Sequence, residues 1–172
     1  MQDTPKVVDG FLFLPPALRA WINKDIPQQP FSGEIPWTPL DKSIRETTFT
    51  LMTSAGISMK SDPPFDMERE KNEPTWGDPS YLEIPKTVTE KDIEVNHLHV
   101  NTAYINQDLN VILPLARFQE FEQEGLIGKL APTCYSYYGY QTDPTVLLSE
   151  TMPQVTERMR QENVEAVLLI PT

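Results

Sequence analysis

The side chains able to do chemistry in this chain fall into a few short groups. His97 and His99 are its only histidines. They lie two apart in Ile93-Glu94-Val95-Asn96-His97-Leu98-His99-Val100, which reads as a strand, so both project to one face. Two imidazoles on one face can share a zinc or iron ion, with Asp108 or Cys134 completing the set. They can instead bind substrate or move a proton, since imidazole titrates near neutrality, or be structural. Cys134 is the only thiol, so there is no internal disulfide framework. It reads as a ligand, redox thiol or nucleophile at a site, or as a small buried hydrophobe.

Asp62 and Asp66 flank the stiff Pro63-Pro64-Phe65. Held apart in this way they could recognise an amine or cation, or simply cap a loop. Ser54, Ala55 and Gly56 are small residues at a strand end, where a ligand can approach the backbone or the chain can turn tightly. Tyr135, Tyr137, Tyr138 and Tyr140 could cage a quaternary ammonium, or pack on the sheet or a neighbouring subunit. The run Glu68 to Glu73 mixes both charge signs and reads as a solvated loop.

The elements that must position these groups follow from the pattern. The chain has 172 residues, 39% hydrophobic and 23% charged, enough for one domain with a real core. Seventeen prolines, most of them before residue 90, imply ordered loops or arms in the first half. Residues 1–47 read as a proline-rich arm, with a short helix over Pro15–Ile22. Residues 28–39 read as extended, with Trp37 as a packing anchor. Residues 48–172 read as an α/β domain. Thr48–Thr53 is the first strand, and residues 58–94 form a long polar loop. Leu115–Glu124 is a helix stopped by Gly125, and Thr133–Tyr140 is an aromatic loop or short strand. A second helix starts at Asp143-Pro144, is kinked or split at Pro153, and ends at Asn163. Val164–Thr172 is an apolar run without alternation, the pattern of a strand buried on both faces. The fold class is α/β, with Rossmann-like or flavodoxin-like layers, a largely parallel sheet and the proline-rich arm.

The net charge of −11, without clusters of Lys and Arg, argues against nucleic acid as a partner. No apolar stretch approaches the roughly 20 residues that span a bilayer, and the N-terminus shows no signal pattern. No membrane partner and a cytoplasmic location are expected.

Several words, in order, carry a resemblance. They are Ile35-Pro36-Trp37-Thr38-Pro39-Leu40, Thr53-Ser54-Ala55-Gly56-Ile57, Lys60-Ser61-Asp62-Pro63-Pro64-Phe65-Asp66, Gly77-Asp78-Pro79-Ser80-Tyr81, His97-Leu98-His99, Asp108-Leu109-Asn110 and Gly139-Tyr140-Gln141-Thr142-Asp143-Pro144. From about residue 35 to its end the chain resembles the selenoprotein B-like family of glycine, sarcosine, betaine and D-proline reductases. The resemblance implies an oxidoreductase subunit that cleaves a carbon–nitrogen or other carbon–heteroatom bond in a small amine or amino-acid-like substrate. It implies a selenocysteine or cysteine nucleophile directly after the strand like Val167–Ile170, and a histidine near the position of Cys134. It also implies a protein partner bearing a pyruvoyl group or a thiol reductant.

The chain stops at Thr172, about where that nucleophile is expected. The corresponding expectation is a truncated, inactive product, with a selenocysteine codon following Thr172 in the gene. Its candidate catalytic residues are His97, His99 and Cys134. Candidate substrate-binding residues are Ser54, Ala55, Gly56, Asp62, Asp66 and Tyr138, and His97 with His99 is the candidate metal pair. The rival readings are a metal-dependent enzyme built on those histidines and a non-catalytic assembly subunit that dimerises. Association into a homo-oligomer is expected, because an open strand edge and an incomplete core both favour it.

Overall fold

The structure, a computed structural model, describes residues 10–25 and 38–172. Trp37, with the extended reading of residues 28–37, lies outside the described residues. The chain divides into two compact units, Met1–Glu34 and Ile35–Thr172. In the first, a tight turn over Gly10–Phe13 precedes helix α1, Pro16–Asp25, with proline at its first position.

The second unit is built on β1, Thr48–Thr53. Along one edge β1 pairs in parallel with β5, Lys129–Leu130, and then β6, Thr133–Tyr137; along the other it pairs in parallel with β7, Ala166–Ile170. Beyond β6 lies β3, Tyr81–Pro85, antiparallel to it. The sheet is therefore mostly parallel, in a mixed α/β fold. A separate two-stranded ribbon joins β2, Ile57–Met59, to β4, Ile93–Val95.

Successive residues of β1 face opposite ways. Leu51 joins Ile84, Leu130 and Cys134 under Leu113 and Leu115, where α3, Thr102–Ile105, and α4, Leu115–Gln123, close one face. Met52 joins Tyr135 under Val155 and Met159 of α5, Met152–Gln161, on the other. A π-helical turn over Leu147–Thr151 leads into α5 directly before Pro153, which is how the chain accommodates the missing proline N–H. Helices α4 and α5 end in the pattern that satisfies their last carbonyls. Gly125 has φ +65° and Leu126 N–H bonds Phe121 O; Asn163 has φ +56° and Val164 N–H bonds Met159 O.

Three expectations are corrected. The strand read over Ile93–Val100 stops at Val95, and His97 and His99 lie in the chain beyond it, outside any strand. Residues 58–94 are not one loop: they contain β2, β3 and helix α2, Met67–Asn72. The strand β3 alternates only weakly and the helix is short, so neither shows a clear period. β7 is not buried on both faces, for Val167, Leu168 and Leu169 are exposed, Leu169 by 65%. An unalternating apolar run reports two apolar faces, not that both are covered. Among the described residues, no helix is long and apolar enough to cross a membrane.

Candidate functional site

The parallel strands β1, β6 and β7 run the same way and end together. Past β1 the chain passes through Ser54, Ala55 and Gly56; past β6 through Tyr138, Gly139 and Tyr140; past β7 through Pro171 and Thr172. The ledge is tied by backbone hydrogen bonds. Ser54 N–H donates to Ile170 O, Gly56 N–H to Tyr137 O, and Gly139 N–H to Ser54 O. Ala55 N–H is taken by Thr53 Oγ1, and Thr172 N–H donates to Ser54 Oγ at 2.9 Å. The three N–H groups of Ser54, Ala55 and Gly56 are thus used inside the protein. The turn shapes the edge rather than offering these donors to a ligand.

Gly56 has φ +61°, and a Cβ there would stand 2.8 Å from Asn96 O and 2.9 Å from the Tyr138 ring. Glycine is therefore required twice over, by backbone conformation and by close approach. It seats Tyr138, which is fully buried and stacks on His97 with ring centroids 4.4 Å apart. The Tyr138 hydroxyl accepts from Leu98 N–H at 3.4 Å and donates to Glu70 Oε2. Burial and the Glu70 carboxylate both hold this phenol protonated, well above the usual tyrosine range.

Glu70, on α2, is the residue that sequence reasoning missed. It lies in the run read as solvated, yet its side chain is only 3% exposed. Its other oxygen, Oε1, stands 2.6 Å from His99 Nε2. One signal did exist. Asp66 caps α2 by accepting from Arg69 N–H at 2.9 Å, which places Phe65 just before the cap and Glu70 at the fourth helical position. Those two positions face the same way at a helix start, and Phe65 is buried, packing near Tyr138 at 6.1 Å.

The two histidines differ. His97 is buried, its Nδ1 accepts from His99 N–H at 3.2 Å, and burial followed by the nearby His99 pushes it toward the neutral form. His99 is half exposed, 50%, and its ring rests on Tyr140 at 4.3 Å. Their rings meet edge to face at 5.9 Å. Among the described residues no three His, Cys, Asp or Glu side chains gather as metal ligands. Asp108, considered as a third ligand, instead caps the turn at Leu109–Val111 by accepting from Asn110 N–H.

Cys134 does not line this edge. It points into the hydrophobic layer beside Leu51 and Ile84, and burial pushes its thiol up to about 11, so it is neither ionised nor presented to a substrate at neutral pH. Asp66 serves as the cap described, while exposed Asp62 accepts from the Ser61 hydroxyl at 3.1 Å. The four tyrosines do not converge on a cage. Tyr135 and Tyr137 pack on the α5 face, and only Tyr138 and Tyr140 reach the histidines. An open concavity of about 360 Å³ runs along Pro64, Phe65 and Met67 at the start of α2, next to this cluster. A polar one of about 380 Å³ lies between Lys60, Glu94 and Asn106.

A sequence model of the family described as glycine/sarcosine/betaine reductase selenoprotein B matches residues 25–172. The chain is 32% identical over 133 residues to the D-proline reductase subunit gamma of Acetoanaerobium sticklandii, covering 77% of this chain and 52% of that protein. It is 29% identical over 143 residues to the glycine reductase complex component B subunit gamma of Carboxydothermus hydrogenoformans, covering 83% of this chain and 32% of that protein. The corresponding subunit of Symbiobacterium thermophilum is 27% identical over 143 residues, with the same coverage, 83% and 32%. The chain thus spans about half the length of the first relative and about a third of the other two. No solved structure matches.

Proposed function

Because this chain belongs to the glycine/sarcosine/betaine reductase selenoprotein B family, we propose that it contributes the α/β part of a subunit in a cytoplasmic, selenol- or thiol-dependent reductase complex. The reaction is reductive cleavage of a carbon–nitrogen bond in a small amine or amino-acid-like compound. The observation that carries this reading is the gathering of Tyr138, His97, His99 and Glu70 beyond the C-terminal ends of the parallel strands. That edge is where open α/β sheets place their working residues.

In this reading the nucleophile is a selenolate or thiolate carried directly past β7. What supports this reading is that Thr172, the residue it would follow, donates its N–H to Ser54 Oγ on the ledge that leads through Ala55 to Tyr138. A polarisable, low-pKa nucleophile is ionised at neutral pH and needs no adjacent base. It displaces the substrate nitrogen, which leaves with the electron pair of the broken bond. Partner subunits activate that amine, through a pyruvoyl group for the amino-acid substrates, and supply thiol reductant.

The test begins with the gene beyond codon 172. A selenocysteine or cysteine codon followed by family-like sequence is expected; an ordinary stop with nothing family-like downstream removes the proposed nucleophile. The complex purified from its native host is then assayed for dithiol-dependent carbon–nitrogen cleavage, read as amine release from glycine, sarcosine and betaine and as ring opening of D-proline to a linear amino acid. Cleavage of at least one is expected, and failure with all four from a selenium-containing or cysteine-bearing complex overturns the reading.

A further inference from the structure

We propose that Glu70 is the positioning residue of a proton-transfer dyad in which His99 Nδ1 gives the proton to the departing substrate nitrogen. The role assigned to the dyad rests on the reductase reading above; its geometry does not.

Taking a carboxylate out of water costs several kcal/mol unless its lone pairs are filled. Glu70 is buried on a short helix, while Glu68 on the same helix and Glu73 at its C-terminal cap pair with Lys71 and Arg69 at the surface. Among the described residues no lysine or arginine pairs with Glu70; its two oxygens instead take Tyr138 O–H and His99 Nε2. The Tyr138 hydroxyl is itself fixed by Leu98 N–H, and its ring by Gly56 and His97. Every contact that defines the carboxylate plane is therefore set by the fold.

In the proposed dyad the Glu70 carboxylate is the acceptor, and the Nε2 atom 2.6 Å from it is the donor. In the neutral ring the free lone pair is then on Nδ1, and in the charged ring the transferable proton is there. His99 is the half-exposed histidine, so this atom belongs to the ring that solvent reaches. His97 is unsuited to the task, because its Nδ1 is occupied by His99 N–H and burial holds it neutral. The ring of Tyr140 backs His99, and its hydroxyl is anchored to Pro74 O at 2.7 Å. Gly77 allows that seat, since a Cβ there would fall 1.7 Å from Tyr140 O.

The step balances simply. The nucleophile's lone pair forms the new bond to carbon, the carbon–nitrogen pair leaves on nitrogen, and that nitrogen takes the proton from imidazolium Nδ1. Neutral His99 is then recharged from water. Holding the imidazole in one tautomer is what a carboxylate behind a histidine does in other acid–base dyads.

Nitrogen-15 NMR of histidine-labelled protein reads the tautomer directly and needs no turnover. At a pH where His99 is neutral we expect Nε2–H with bare Nδ1, and Glu70→Gln is expected to abolish that preference. A wild-type Nδ1–H tautomer, an unaltered tautomer in E70Q, or a stoichiometric metal on His99 overturns the dyad. In the complex, E70Q and His99→Gln should lower kcat by about 10²–10³-fold with KM within about twofold. Glu70→Asp should recover part of the loss, and imidazole should partly rescue H99Q. If E70Q does not fold, the half-exposed His99→Gln and Glu70→Asp variants carry the kinetic test. Unchanged kcat in H99Q overturns the proposal. A wild-type complex without turnover counts against the reductase reading, while the tautomer still decides the dyad.

Discussion

Cys134 and Tyr138 lie on one short run of chain, both fully buried, and they have opposite fates. The Cys134 thiol is surrounded by Leu51, Ile84 and Leu130, and burial is the largest influence on its chemistry, outweighing the hydrogen bonds to Leu51 and Thr50. Tyr138 lies just past the strand end, where its hydroxyl is joined to Glu70 and, through Glu70, to a histidine that solvent reaches. A titratable group buried in hydrocarbon becomes inert. One buried in a chain of donors and acceptors that ends at the surface can act. The strand end makes the difference: within β6 side chains enter the two layers of the core, and beyond it they reach loops that carry charge.

The largest expected effect comes from unseating Tyr138. Gly56→Ala combines a left-handed backbone with contacts of 2.8 and 2.9 Å, to Asn96 O and the Tyr138 ring. Strain and overpacking together should cost about 3 kcal/mol. A fall in the urea midpoint corresponding to less than about 1 kcal/mol would mean that Tyr138 is not held as described, and the contrast with Cys134 would weaken.

The Cys134 side of the contrast is tested by alkali. Its folded pKa of about 11 lies above the ordinary thiol value of 9.0. The folded state therefore keeps its proton where the unfolded state loses it. Stability from this group is fully present below pH 9 and is lost as pH rises from about 9 to 11, by about 2–3 kcal/mol. The buried tyrosines add their own losses at higher pH, so the measurement is a difference. Denaturation of wild type and Cys134→Ala across this range should show the extra slope only in wild type. Equal slopes, or ready alkylation of native Cys134 at pH 8, would show that the thiol is not isolated.

The fold was legible where one period dominated. Thr48–Thr53, the helix from Leu115 and its stop at Gly125, and the disrupted helix ending at Asn163 all follow from local pattern. The edge position of β7 was not, because an apolar run does not say what covers it. His97, His99 and Tyr138 were singled out by residue type and do meet. Cys134 was singled out as well, but its side is fixed by the parity of β6, which needs the neighbouring strands to decide it. Glu70 was hidden because which of several acids in a short helix turns inward depends on the buried phenol waiting for it.

The smallest effect separates the two aspartates that look alike in sequence. The Asp66 carboxylate caps α2, and its own N–H donates to Asp78 Oδ2 at 2.8 Å. Asp62 sits on an exposed turn against its neighbour's hydroxyl. Asp66→Ala should therefore cost about 1 kcal/mol in chemical denaturation, while Asp66→Asn, which can still cap, restores most of it. Asp62→Ala should change stability by no more than about 0.5 kcal/mol. Were both residues ligands for a cation, each substitution would raise KM, and asparagine at 66 would not rescue. The cap reading makes Asp66 important for another reason. It fixes the first turn of the helix that carries Glu70, so loosening it should also blur the His99 tautomer preference that Glu70 imposes.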